Sequence, residues 1–150
     1  MKIKAALVLL TLLLPLSAAW SHCQVPCGIY DDDMRFAMMA EHIKTIERSM
    51  QQIEELSKAE NPEFNQIVRW VDNKDAHADE FSHIVTYYFL AQRLKPQTAE
   101  DQDYQNYIEM LKMIHEMVVY SMRAKQSTDL EYVAKLTELL EKFRKAYTGK

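Results

Sequence analysis

From residue 36 onward, apolar positions recur at intervals of three and four. Phe36, Met39, Ile43, Ile46, Met50 and Ile53 form a first stripe, which predicts one buried helical face. Asp31, Asp32 and Asp33 precede it, where negative charge favours a helix N-terminus. Residues 58–63, with Asn61-Pro62, read as a loop. Phe64, Ile67, Val68 and Val71 open a second helical segment, with an interruption expected near Asp72-Asn73-Lys74. It resumes through Phe81, Ile84, Val85, Tyr88 and Leu94, and Pro96 ends it. A third stripe is Tyr104, Tyr107, Ile108, Leu111, Ile114 and Val118. The fourth opens on Thr128-Asp129-Leu130-Glu131, which has the spacing of a capping box between Thr128 and Glu131. It runs through Val133, Leu136, Leu140, Phe143 and Tyr147. No strand alternation and no long repeat interrupts this pattern. Four amphipathic helices with short connections predict an all-α fold, an antiparallel up-down four-helix bundle.

Composition narrows the function classes. The chain has 150 residues, a formal net charge of −4, two Gly and four Pro. So few turn formers exclude an all-β fold rich in tight turns. The acidic balance argues against a nucleic-acid binder, which needs a basic face. Two Cys exclude a disulfide-dense scaffold and a four-Cys zinc site. The nine Met read mainly as core filler.

The first residues have the pattern of an export leader. Lys2 and Lys4 precede an apolar run over residues 5–14, broken only by Thr11 and too short to span a bilayer. Small residues then permit a cut before His22 or before Trp20. The expected organisation is a cleaved leader over residues 1–21 and a mature domain over residues 22–150, exported to a periplasmic or extracellular space.

Residues 22–30 do not behave like bundle sequence. They read His-Cys-Gln-Val-Pro-Cys-Gly-Ile-Tyr and contain both cysteines. Pro26 fixes φ and Gly28 permits a φ that other residues avoid, so a rigid hook is expected rather than a first helical turn. If the chain begins at His22, the hook offers the α-amine and imidazole of His22, the backbone N and thiolate of Cys23, and the thiolate of Cys27. Amine, amide N and the Cys23 sulfur can form fused five-membered chelate rings in one plane. Planar N,S donation suits Ni(II) or Cu(II) better than tetrahedral Zn(II).

The pattern His-Cys-x-x-Pro-Cys-Gly-x-Tyr at a processed N-terminus resembles the nickel hook of nickel-containing superoxide dismutases, with every fixed position present from His22 to Tyr30. A looser likeness is the aromatic run Tyr87-Tyr88-Phe89 ahead of Lys95-Pro96. The resemblance implies a four-helix-bundle subunit, a homohexamer, and one nickel ion per subunit cycling between Ni(II) and Ni(III) with superoxide as substrate. It implies His22, Cys23 and Cys27 as metal ligands, with Tyr30 over the open face beside them. Members of the family tend to place a carboxylate in the first helix near the His ligand. Met38 and Met39 stand at that place here, with Glu41 a turn further on. Arg35 and Arg69 are the arginines considered as partners of the site.

Three other readings use the same residues. A Cys23–Cys27 disulfide would make the hook structural, and a zinc or copper site would use His22, Cys23 and Cys27. A metal-delivery protein of the cell envelope would bind without turnover and would have no use for Tyr30 beside the metal. The other histidines, His42, His77, His83 and His115, read as structural. Glu80 and His83 make a single Glu-x-x-His pair, half of what a di-iron bundle needs. The basic run 142–150 is expected to balance a helix dipole. An acidic subunit that attracts an anion needs a local positive patch near the hook.

Overall fold

A computed structural model of the chain describes residues 25–149. The proposed leader, His22 and Cys23 lie outside the described residues. The described chain is helical: α1 (Asp32–Ser57), α2 (Phe64–His83), a π-helix (Ile84–Arg93), α3 (Tyr104–Gln126) and α4 (Leu130–Thr148). Neighbours in sequence pack side by side, and α1 closes the ring against α4. Cross-helix pairs fix the directions. His42 meets His77 and Ser49 meets Asn73, while Asp33 meets Arg144 and Glu54 meets Thr128. Residue numbers rise on one helix as they fall on the next, so the bundle is antiparallel, up-down-up-down. No described helix is long and apolar enough to cross a membrane.

The first stripe is the core face of α1. Phe36, Met39, Ile43, Ile46, Met50 and Ile53 are all buried. Phe81, Ile84, Val85, Tyr88 and Phe89 face them from the second segment, and Val133, Leu136, Leu140 and Phe143 from α4. From α3 the buried apolar residues are Ile114, Met117 and Ala124, whereas Tyr107, Leu111 and Val118 are only partly buried against the core. Met39, Met50 and Met117 fill the interior, but Met34 and Met122 are exposed.

Several expectations are corrected. α2 runs without interruption through Asp72-Asn73-Lys74, because Lys74 turns inward. Its side chain is 3% exposed, and its Nζ donates to the carbonyls of Ala124 and Lys125 at the end of α3. Those carbonyls lack intrahelical partners and carry the negative end of the helix dipole, so a buried ammonium satisfies both needs. Phe64 and Val68 lie on the outer side of the bundle, 72% and 56% exposed. The capping box does not form. Asp129 caps α4 by accepting from the Glu131 N–H at 2.9 Å, and Thr128 donates to Glu54 instead. In the basic C-terminal run, Lys142 pairs with Glu138 and Arg144 with Asp33, so Lys145 alone is the basic residue of the last turn of α4.

The second stripe also changes its winding. From Ile84 to Arg93 the backbone is a π-helix, closed by the Leu94 N–H on the Phe89 carbonyl at 2.9 Å. Its bonds span five residues rather than four, so residues five apart stand over one another. Tyr88 and Arg93 therefore face the same way. They face the start of α1, directly after the hook.

Candidate metal centre

Of the hook, residues 25–30 are described. The Val25–Pro26 peptide is cis, and Gly28 sits at φ +79°, the left-handed region that favours glycine. Residues 25–28 form a run of bends and helix begins only at Asp32, so this described part of the hook is a loop as the sequence predicts. Asp31 ends it by capping α1, accepting the Met34 N–H at 2.9 Å. Cys27 is exposed. Tyr30, three residues on, is 39% exposed, with one face on the protein.

What holds Tyr30 comes from the π-helix. The Arg93 guanidinium lies over the Tyr30 ring, 4.4 Å from its centroid. Tyr88 meets the same ring edge to face, with centroids 5.9 Å apart at 80°. Gln92 reaches the hook backbone, its Nε2 donating to the Val25 carbonyl at 3.4 Å.

Behind these contacts stands one carboxylate. Asp32 accepts from Arg93 Nε at 2.8 Å and Nη2 at 2.6 Å, a bidentate fork. The hydroxyls of Tyr88 and Tyr147 each donate to Asp32 at 2.7 Å. Burial works to raise the Asp32 pKa, but the hydrogen bonds from Arg93, Tyr88 and Tyr147 and the Arg93 charge outweigh it and hold the pKa below its ordinary value. Burial, and then the hydrogen bond to Asp32, push Tyr88 and Tyr147 up to about 12. Both phenols are therefore neutral donors at neutral pH. The pair is balanced, one cation on one anion, with two neutral hydroxyls completing the carboxylate.

The other arginines considered from sequence take lesser places. Arg35 lies over the Tyr88 ring, 5.0 Å from its centroid, and donates to Met38 Sδ at 3.7 Å. Its Nε is buried without a partner among the described residues. Arg69 is exposed on α2. Arg93 is the residue that sequence reading missed. Five residues separate it from Tyr88, and ordinary helical spacing would place the two on different faces. Among the remaining histidines, His42 and His77 approach through their Nδ1 atoms at 2.8 Å, and His83 stacks on Tyr87. No group of three or more His, Cys, Asp or Glu suited to a metal occurs among the described residues.

The family model for nickel-containing superoxide dismutases matches residues 17–150, which takes in the whole hook and the whole bundle. The chain belongs to that family. It is thus an oxidoreductase, a superoxide dismutase with nickel as its cofactor. No curated protein and no solved structure matches the chain. Membership sets aside the carrier and purely structural readings. The donor set fits a nickel dismutase on chemical grounds, since nitrogen and thiolate donors suit Ni(II). The wider cavities lie elsewhere, including a groove of about 410 Å³ between α1 and α4 lined by Phe36, Ile43 and Leu140. Cys27 lies exposed at the surface, outside that groove.

Proposed function

We propose that this dismutase works at its N-terminal hook after cleavage before His22. The α-amine and imidazole of His22, the backbone N and thiolate of Cys23 and the thiolate of Cys27 would hold the nickel. Bound there, nickel would supply a one-electron Ni(II)/Ni(III) couple for turning two superoxides and two protons into O2 and H2O2. The chain contributes the surroundings of that exchange. Tyr30, three residues after Cys27, would order water and small anions, its hydroxyl donating a hydrogen bond to the incoming anion. The observation that carries this reading is the fixed position of Tyr30, held by Arg93 and Tyr88 three residues after an exposed cysteine.

Export and assembly belong to the same reading. The leader would be removed by a signal peptidase, and the subunits would associate as a homohexamer. Exposed apolar residues support association: Val25 and Ile29 in the hook, Met34 in α1, and Tyr87 and Leu90 in the π-helix. The test is direct. Protein beginning at His22 and loaded with nickel disproportionates superoxide, and His22→Ala loses most of that activity while the bundle stays folded. One extra residue ahead of His22 is as damaging as loss of a thiol. Equal activity in metal-free protein would overturn the reading.

A further inference from the structure

We infer that Arg93 is a positioning residue for Tyr30: Asp32 fixes its guanidinium, which is pressed against the Tyr30 ring and holds the phenol beside the hook. The inference rests on the proposed role of Tyr30 at the metal.

Three observations carry it. First, Tyr30 leaves the hook with few constraints of its own. The apolar residues Val25 and Ile29 earlier in the hook are 87% and 82% exposed, so apolar packing within the hook does not fix the ring. Second, the two contacts that do fix it, Arg93 on the face and Tyr88 on the edge, come from one stretch of π-helix. Third, both of those groups end on Asp32, which accepts four hydrogen bonds from Arg93, Tyr88 and Tyr147. Tyr147 ties the same carboxylate to α4. The clamp is therefore anchored in three parts of the bundle, while Tyr30 belongs to none of them.

The chemistry separates positioning from attraction. The Arg93 charge is matched by the Asp32 carboxylate at 2.6 Å, so the pair has little net field with which to draw an anion. What remains is shape. A planar guanidinium held by a bidentate fork has one orientation, and a ring stacked on it inherits that orientation. Lysine cannot reproduce this, because an ammonium is a point charge on a flexible stem. Asp32→Asn weakens the fork and frees the guanidinium, and should loosen Tyr30 without touching it.

The experiment has one arm without metal and one with it. In processed, metal-free protein with ring-labelled tyrosine, the Tyr30 signal is assigned by its loss in Tyr30→Phe. A nuclear Overhauser contact joins the Tyr30 ring to the Arg93 side chain. Arg93→Gln and Asp32→Asn abolish it and move the Tyr30 signal toward the free-tyrosine position, and Arg93→Lys restores only part of the shift. No such contact in the parent overturns the inference, and this outcome needs no variant to fold. An unmoved Tyr30 signal in a folded Arg93→Gln chain also overturns it. In nickel-loaded protein, Arg93→Gln lowers kcat/KM about tenfold with nickel per chain unchanged, by misplacing the phenol. The loss is the same at low and high salt. It largely disappears when Tyr30 is already Phe, and a full loss in that background overturns the inference. If the nickel-loaded parent has no dismutase activity, the proposed function fails, and the metal-free arm still decides the clamp.

Discussion

The two ends of the bundle each bury charge against hydrogen-bonding partners, with different results. At the end away from the hook, Lys74 is buried and donates to the terminal carbonyls of α3. The terminal carbonyls of Ala124 and Lys125 are satisfied within the bundle, and the arrangement finishes a helix. At the hook end, Asp32 gathers Arg93, Tyr88 and Tyr147, yet Arg93 and Tyr88 each keep a second surface turned outward to Tyr30. The same physics of paired, hydrogen-bonded charge stabilises architecture in one place and holds the exposed Tyr30 ring in the other. The difference lies in whether the paired groups have a surface left over.

The sharpest break in that comparison is chemical. Cys27→Ser should lower nickel-dependent dismutase activity by at least about a hundredfold, more than loss of a supporting group would. Its unfolding midpoint should match the parent's, because Cys27 is exposed. Activity per chain against thermal unfolding checks both halves.

Lys74→Met should do the reverse. It leaves the carbonyls of Ala124 and Lys125 and the Asp75 carboxylate without their buried cation, at a cost of about 3 kcal/mol in denaturant unfolding. Activity per bound nickel should not change. An equal loss of specific activity would erase the distinction between the two ends.

Asp32→Asn falls between them, costing about 2 kcal/mol through weakened hydrogen bonds. Its pH dependence identifies the cause. The folded pKa of Asp32 lies below the ordinary 3.8, so the folded state keeps its charge where the unfolded chain takes a proton. The stability this contributes is fully present above pH 3.8 and is lost as pH falls through the folded value. The Asn variant should therefore show a flatter acid limb in unfolding measured from pH 5 downward.

The smallest expected effect is at His42. Burial, and then the neighbouring His77, lower its pKa below 6.5. The unfolded chain gains a proton that the folded protein resists, so this site weakens stability as pH falls below about 6.5. Replacing it, as His42→Leu, should flatten that part of the stability profile measured between pH 7.5 and 5.5.

Much of the bundle was legible because periodicity reports burial. The α1 stripe needed no tertiary information, and Gly28 and Pro26 already marked residues 25–30 as a loop. Phe64 and Val68 show the limit: spacing marks a face but does not say that another helix covers it. The Thr128 capping box failed because Asp129 and Glu54 offered competing partners, one of them from a distant part of the chain. The motif drew attention to Tyr30 but carried no sign of what holds its ring. Arg93 was hidden by the change of winding, and Asp32 read only as a favourable charge at a helix start, when its main partners are more than fifty residues away.

The wide turn between Tyr88 and Arg93 also bears on how this protein tolerates a change of length. A π-turn accommodates one residue more than an ordinary turn uses. A chain lacking Leu90 would space the tyrosine and the arginine four apart, the interval that a regular α-helix brings to one side. Loss of a single residue there should be absorbed by tighter coiling, with both side chains still meeting the same acid, so this end of the bundle can survive a deletion that would scramble most helices.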